Sequence, residues 1–169
     1  IGPNSSSIYS HSITVVENAA PGELFTLHWV ITDNTQTAQA GKKFFVTELY
    51  LSDTTYTFVQ MDWGTVGKDV SIDNHPIKLN GTIYEKGLGT HANCEMRYNL
   101  DGNFTRFISN IGVDDEVDGS PASVTFQVWA DGMQLYNSPV MYHNTPTGLI
   151  DVDITGKNEL KLIVTDAGD

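Results

Sequence analysis

The chain is 169 residues long with 40% hydrophobic and 18% charged side chains, enough for one well-buried core and too short for two large domains. Acidic residues outnumber basic ones 21 to 9, a formal charge of −12 at pH 7, so a polyanion such as nucleic acid is repelled at long range. The single cysteine, Cys94, excludes an internal disulfide and a cysteine-built metal site, and no apolar run reaches the length of a membrane span, so membrane insertion is not expected.

Residues 1–7, IGPNSSS, are small and polar and read as a linker or expression remnant outside the fold. Residues 8–44 read as an N-terminal β segment, either added strands or part of a preceding domain. It opens with SITVVEN and LFTLHWVITDN, two strands separated by the Pro21-Gly22 turn signal. The polar run TDNTQTAQAGKK, Thr32 to Lys43, is expected to be a loop or linker, and FFVTELYLSD to restart the strand pattern, which places the main domain at 45–169.

Within that domain, HPIKLNGTIYEKG predicts a hairpin turning at Asn80-Gly81, a pair suited to the positive φ of a primed turn. NCEMRYNL alternates Cys94, Met96, Tyr98 and Leu100 to one side, making Cys94 a small core hydrophobe rather than a nucleophile. TRFISNIGVD continues the series, and SVTFQVWADGMQLYNS predicts a second hairpin at Asp131-Gly132. LIDVDITG and ELKLIVTD alternate on Ile150, Val152, Ile154 and on Leu160, Leu162, Val164. No segment holds helical spacing for three turns and none repeats, so the fold expected is an all-β antiparallel sandwich.

The chemistry is sparse. No GxSxG elbow, HExxH helix or phosphate loop is present, the histidines are not paired at metal-ligand spacing, and the adjacent carboxylates of GVDDEVDG diverge in a loop. Catalysis is not expected. His91, in YEKGLGTHANCEMRYNL, stands at the mouth of a strand after Gly87 and Gly89, which let backbone approach closely. The local facts favour a structural histidine, although an imidazole can bridge two sugar hydroxyls by donating from one nitrogen and accepting at the other.

The run WGTVGKDVSIDNHPIKLNGTIYEKGLGTHANCEMRYNL, followed by GVDDEVDG, SVTFQVWADGMQLYNS and LIVTDAGD, resembles the NPCBM domain, carbohydrate-binding module family 51, over about residues 45–169. The resemblance implies a non-catalytic jelly roll of the galactose-binding-like type; a monomer is expected separately. It also implies a secreted bacterial accessory module, covalently linked to the catalytic domain of a glycoside hydrolase, which binds terminal galactose or blood-group-type glycans. The competing class is a structural or protein-interaction module of a multidomain secreted enzyme.

Under that resemblance His91 reads as a sugar-hydroxyl contact. A pyranose needs an aromatic face and planar polar groups around its rim, which singles out Trp63 in QMDWG, with Gln60, Glu85 and the loop residue Glu116 as polar candidates. Their bland readings are a plug beneath the loop for Trp63, solvated side chains for Gln60 and Glu85, and a charged turn for Glu116; Trp129 is the second aromatic choice. Calcium, associated with the fold, would be held by Asp166, Asp169 and Asp69, where the alternative is an acidic strand end.

Overall fold

The computed structural model describes residues 24–32, 37–45, 48–117 and 121–168, the first two stretches as backbone. Contacts divide the chain into two units, Ile1–Leu49 and Tyr50–Asp169. SITVVEN lies outside the described residues. In the first unit β1 (Leu24–Thr32) and β2 (Thr37–Phe45) form an antiparallel hairpin, Leu24 opposite Phe45 and Thr32 opposite Thr37.

The loop expected over Thr32 to Lys43 is therefore corrected: most of it is strand. Backbone pairing is indifferent to polarity, and a run without apolar alternation hides its strand from pattern reading. FFVTELYLSD is corrected too, because β2 ends at Phe45 and Leu51–Asp53 form a 3₁₀ turn.

The second unit contains β3 (Phe58–Met61), β4 (Gly67–Lys68), β5 (Ile77–Leu79), β6 (Thr82–Tyr84), β7 (Leu88–Gly89), β8 (Cys94–Asn99), β9 (Arg106–Ile111), β10 (Ser123–Ala130), β11 (Met133–Asn137), β12 (Met141–Tyr142), β13 (Gly148–Asp153) and β14 (Glu159–Asp166). The large sheet runs β11-β10-β14-β8-β3, with β12 added to β10, and every pairing is antiparallel. β9 and β13 make a second antiparallel sheet, and β4–β7 and β5–β6 form short pairs.

Alternation decides the inner face. Cys94, Met96 and Tyr98 of β8 stand opposite Val164, Leu162 and Leu160 of β14, and Val128 and Ala130 of β10 continue the layer. Ile111 of β9 and Ile150 of β13 meet them in one buried cluster, with Leu160 fully enclosed and Tyr98 2% exposed. Each such aliphatic side chain contributes about 1.5–3 kcal/mol through burial. Two sheets closed on a shared core are the sandwich that the alternation predicted.

Both turns form as read. Asn80 and Gly81 have φ of 46° and 82°, and Asp131 and Gly132 have 47° and 77°, the left-handed geometry of a two-residue hairpin turn. Among the described residues no helix is long and apolar enough to cross a membrane.

Candidate carbohydrate-binding site

The same register that builds the inner face fixes what stands outside. Phe58 and Gln60 of β3, Glu95 and Arg97 of β8, Ile163 and Thr165 of β14, and Gln127 and Trp129 of β10 share the outer face of the large sheet. Strand β3 pairs antiparallel with β8, Met61 opposite Cys94. The chain leaving β3 and the chain entering β8 therefore run side by side, and Trp63 and His91 sit on those two segments.

Their rings meet. The centroids are 5.5 Å apart and the planes are inclined by 59°, and Trp63 is 57% exposed. A tilted aromatic pair holds both side chains in place while leaving an apolar face toward solvent. The plug reading of Trp63 does not describe this geometry.

Backbone and amide bonds clasp the two segments. The Asp62 N–H donates to the Asn93 carbonyl at 3.1 Å, and Asn93 Nδ2 donates to Asp62 Oδ2 at 3.1 Å. Asn93 Oδ1 accepts the Asp166 N–H at 2.9 Å, which ties the end of β14 to the same corner. The His91 N–H donates to Met61 Sδ at 3.3 Å. Upstream, Gly89 pairs with Gly67 and presses on the backbone of Val70 and Ser71; a Cβ at Gly89 would lie 2.4 Å from the Val70 carbonyl oxygen. Without a side chain Gly89 allows this close backbone approach.

The hydroxyl bridge imagined for His91 is corrected by one contact. Nδ1 is turned to the carbonyl of Ala92 within the loop, an oxygen that can only accept, so this nitrogen is engaged inside the protein. Nε2 remains for a ligand.

Gln60, exposed at the outer face of β3, lines a groove of about 190 Å³ with Asp62, Asn93, Glu95, Ile163 and Thr165. Four of these polar residues, Asp62, Asn93, Glu95 and Thr165, are absent from the sequence-derived candidates. Their signal was the period-two alternation of QMDW and HANCE, legible once β3 and β8 are known to pair.

Other candidates go elsewhere. Glu116 Oε2 accepts from Ser71 Oγ at 3.0 Å and stands 2.9 Å from His75 Nδ1, while Asp114 and Asp115 accept the backbone N–H groups of Lys78 and Gly81. This acidic loop staples the β5–β6 hairpin. Glu85 is exposed just after β6. Trp129 donates from Nε1 to Gln127 Oε1 at 2.8 Å and carries the Lys161 ammonium 4.7 Å from its ring centroid, so its face is already covered.

Asp69 and Asp166 are separately engaged. Asp69 contacts the Lys86 ammonium at 2.9 Å and accepts the Gly87 N–H at 3.2 Å, and the Ser52 hydroxyl and Lys86 lower its pKa to about 2. Its cation is a lysine. Asp166 Oδ1 accepts the Gly168 N–H at 2.5 Å, and Asp169 lies outside the described residues. Among the described residues no three His, Cys, Asp or Glu side chains are grouped to hold a metal ion.

Comparison with known proteins follows the same outline. The family profile described as NPCBM/NEW2 domain matches residues 47–169. A Renibacterium salmoninarum protein named "Putative endo-alpha-N-acetylgalactosaminidase" is 36% identical over 112 residues, covering 63% of this chain and 7% of that protein, so the chain spans a small part of that relative. Among solved structures, the CBM51 from Clostridium perfringens GH95 in complex with methyl-galactose is 38% identical with a TM-score of 0.68, over 72% of this chain and 88% of that one. CBM51-2 with GlcNAc and INT domains from Clostridium perfringens ZmpB is 30% identical with a TM-score of 0.69, over 88% of this chain and 34% of that one. The structure of the M60 catalytic domain with the CBM51-1 and CBM51-2 domains from Clostridium perfringens ZmpB is matched at 36% identity with a TM-score of 0.70, over 90% of this chain and 17% of that one.

Proposed function

The chain belongs to the NPCBM/NEW2 domain family, and from that membership together with the ring pair we propose that it is a glycan-binding module whose ligand is a terminal galactose or a related sugar of blood-group type. The observation that carries the reading is the exposed, mutually braced pair Trp63 and His91 at the β3 and β8 ends. The Trp63 indole offers an apolar face to the C–H side of a pyranose, His91 Nε2 meets a hydroxyl at its rim, and Gln60 supplies an amide nearby.

The module raises the local concentration of a covalently attached, secreted glycoside hydrolase on its substrate, to an extent set by linker reach. A shallow site of this kind binds a monosaccharide weakly, with a dissociation constant on the order of micromolar to millimolar.

Calorimetric titration with methyl galactoside, N-acetylgalactosamine, N-acetylglucosamine and blood-group oligosaccharides tests the reading. Saturable heat that disappears in Trp63→Ala is expected; no binding across the set removes the proposal in favour of a structural spacer. Running the titration with calcium and with EDTA tests the proposed ion, for which Asp166 with Asp169 is the remaining pair.

A further inference from the structure

We infer that the groove beside the ring pair is a second sugar subsite, and that its carboxylates make it select an uncharged residue over a sulfated or carboxylated one. The inference rests on the glycan-binding reading and adds to it the length and charge of the ligand.

The groove belongs to the outer face, at the ends of β3, β8 and β14, and its lining residues Asp62 and Asn93 lie one and two positions from Trp63 and His91 on the same two clasped segments. A chain extending from a ring seated on Trp63 therefore has a built concavity within reach. At about 190 Å³ it falls below the roughly 300–1,000 Å³ of sites that enclose a drug-sized molecule, and has room for one further sugar ring.

The lining is rich in acceptors. Asp62 uses Oδ2 for the Asn93 amide and keeps Oδ1, and Glu95 uses Oε1 for the Arg97 guanidinium at 2.5 Å and keeps Oε2. Gln60 adds an amide, and Ile163, opposite Glu95 in the β8–β14 register, adds an apolar surface for ring C–H groups. Such a lining calls for a ligand that donates, through sugar hydroxyls or an N-acetyl N–H, since each desolvated acceptor needs a donor. An anionic substituent would meet the uncompensated charge of Asp62 and the free oxygen of Glu95, while the Arg97 charge that could attract it is already spent on Glu95.

The test compares dissociation constants for methyl β-galactoside, galactosyl-N-acetylglucosamine and the same disaccharide sulfated on its second residue. The neutral disaccharide should bind at least about fivefold tighter than the monosaccharide, and the sulfated one at least about fivefold weaker than the neutral one. In Glu95→Gln the ratio of sulfated to neutral affinity should move toward one. If methyl galactoside binds and both disaccharides merely equal it, the subsite is overturned while the glycan-binding reading stands. If none of the three binds, both fall together.

Discussion

The indole of Trp63 and the imidazole of His91 brace each other across two loops, with centroids 5.5 Å apart and planes inclined by 59°. Neither ring is needed by the core, since Trp63 is 57% exposed and His91 is exposed as well. Trp63→Ala should therefore lower galactoside affinity at least about tenfold while shifting unfolding free energy by less than about 0.5 kcal/mol. Titration and a urea melt on the same preparation check both halves. A melt displaced well beyond that margin would show the ring to be a structural plug.

His91→Ala separates two roles that one residue combines. Nδ1 is engaged with the Ala92 carbonyl inside the loop, so the ligand can use Nε2 alone. Losing that contact leaves a sugar hydroxyl unpaired at a cost of roughly 1–3 kcal/mol, about fivefold to a hundredfold in affinity. The melting point should hold. Unchanged galactoside affinity with a lowered melting point would instead make His91 a strut of the strand entrance.

Gly89 answers for the approach of that loop. A Cβ there would lie 2.4 Å from the Val70 carbonyl oxygen and 2.6 Å from Ser71 Cα, and both are backbone atoms that cannot swing aside. Gly89→Ala must open the Gly67–Gly89 pairing, an overpacking cost of about 1–3 kcal/mol. A lower urea midpoint, with weaker galactoside binding because His91 follows two residues on, is expected. An unaltered midpoint would mean that the close approach has slack.

The alternation of Cys94, Met96, Tyr98 and Leu100 and the positive-φ pairs at Asn80-Gly81 and Asp131-Gly132 were legible because both signals are local, written within a few residues. Strand β3 was not read as one. It has four residues, and what makes it a strand is β8, whose Cys94 pairs with Met61 from 33 positions away. The site shares that difficulty. Trp63 and His91 could be chosen from family resemblance, but that Asp62 and Asn93 clasp beneath them follows from a long-range register no window contains. Trp129 shows the converse, a conspicuous aromatic whose neighbours Lys161 and Gln127 occupy it.

Cys94 offers a check on the core. It is 2% exposed, and burial pushes its thiol up to about 11, so little thiolate exists near neutrality and none is within reach of a reagent. Native protein should react negligibly with a disulfide reagent at pH 8, and one equivalent of thiol should appear on addition of denaturant. Prompt reaction of the native protein would mean that β8 opens readily at its β3 edge.

Acid should reveal the Asp69–Lys86 corner. The Ser52 hydroxyl and the Lys86 ammonium hold the Asp69 carboxyl down to about 2, against 3.8 for an ordinary aspartate. A depressed folded-state pKa contributes stability that is fully present above the unfolded value and is lost as pH falls toward the folded one. The window is therefore about pH 4 to 2. Asp115, Asp131 and Asp153 are lowered as well, so acid loss of the whole protein cannot be assigned to one residue. The informative quantity is the difference between wild type and Asp69→Asn, which keeps the shape and removes the charge that faces Lys86. That difference should be largest at pH 5 to 6 and shrink on acidification through the window. Urea midpoints of both proteins at steps of pH measure it, and a gap that stays constant or widens toward pH 2 would show that the carboxylate charge is not what Lys86 stabilises.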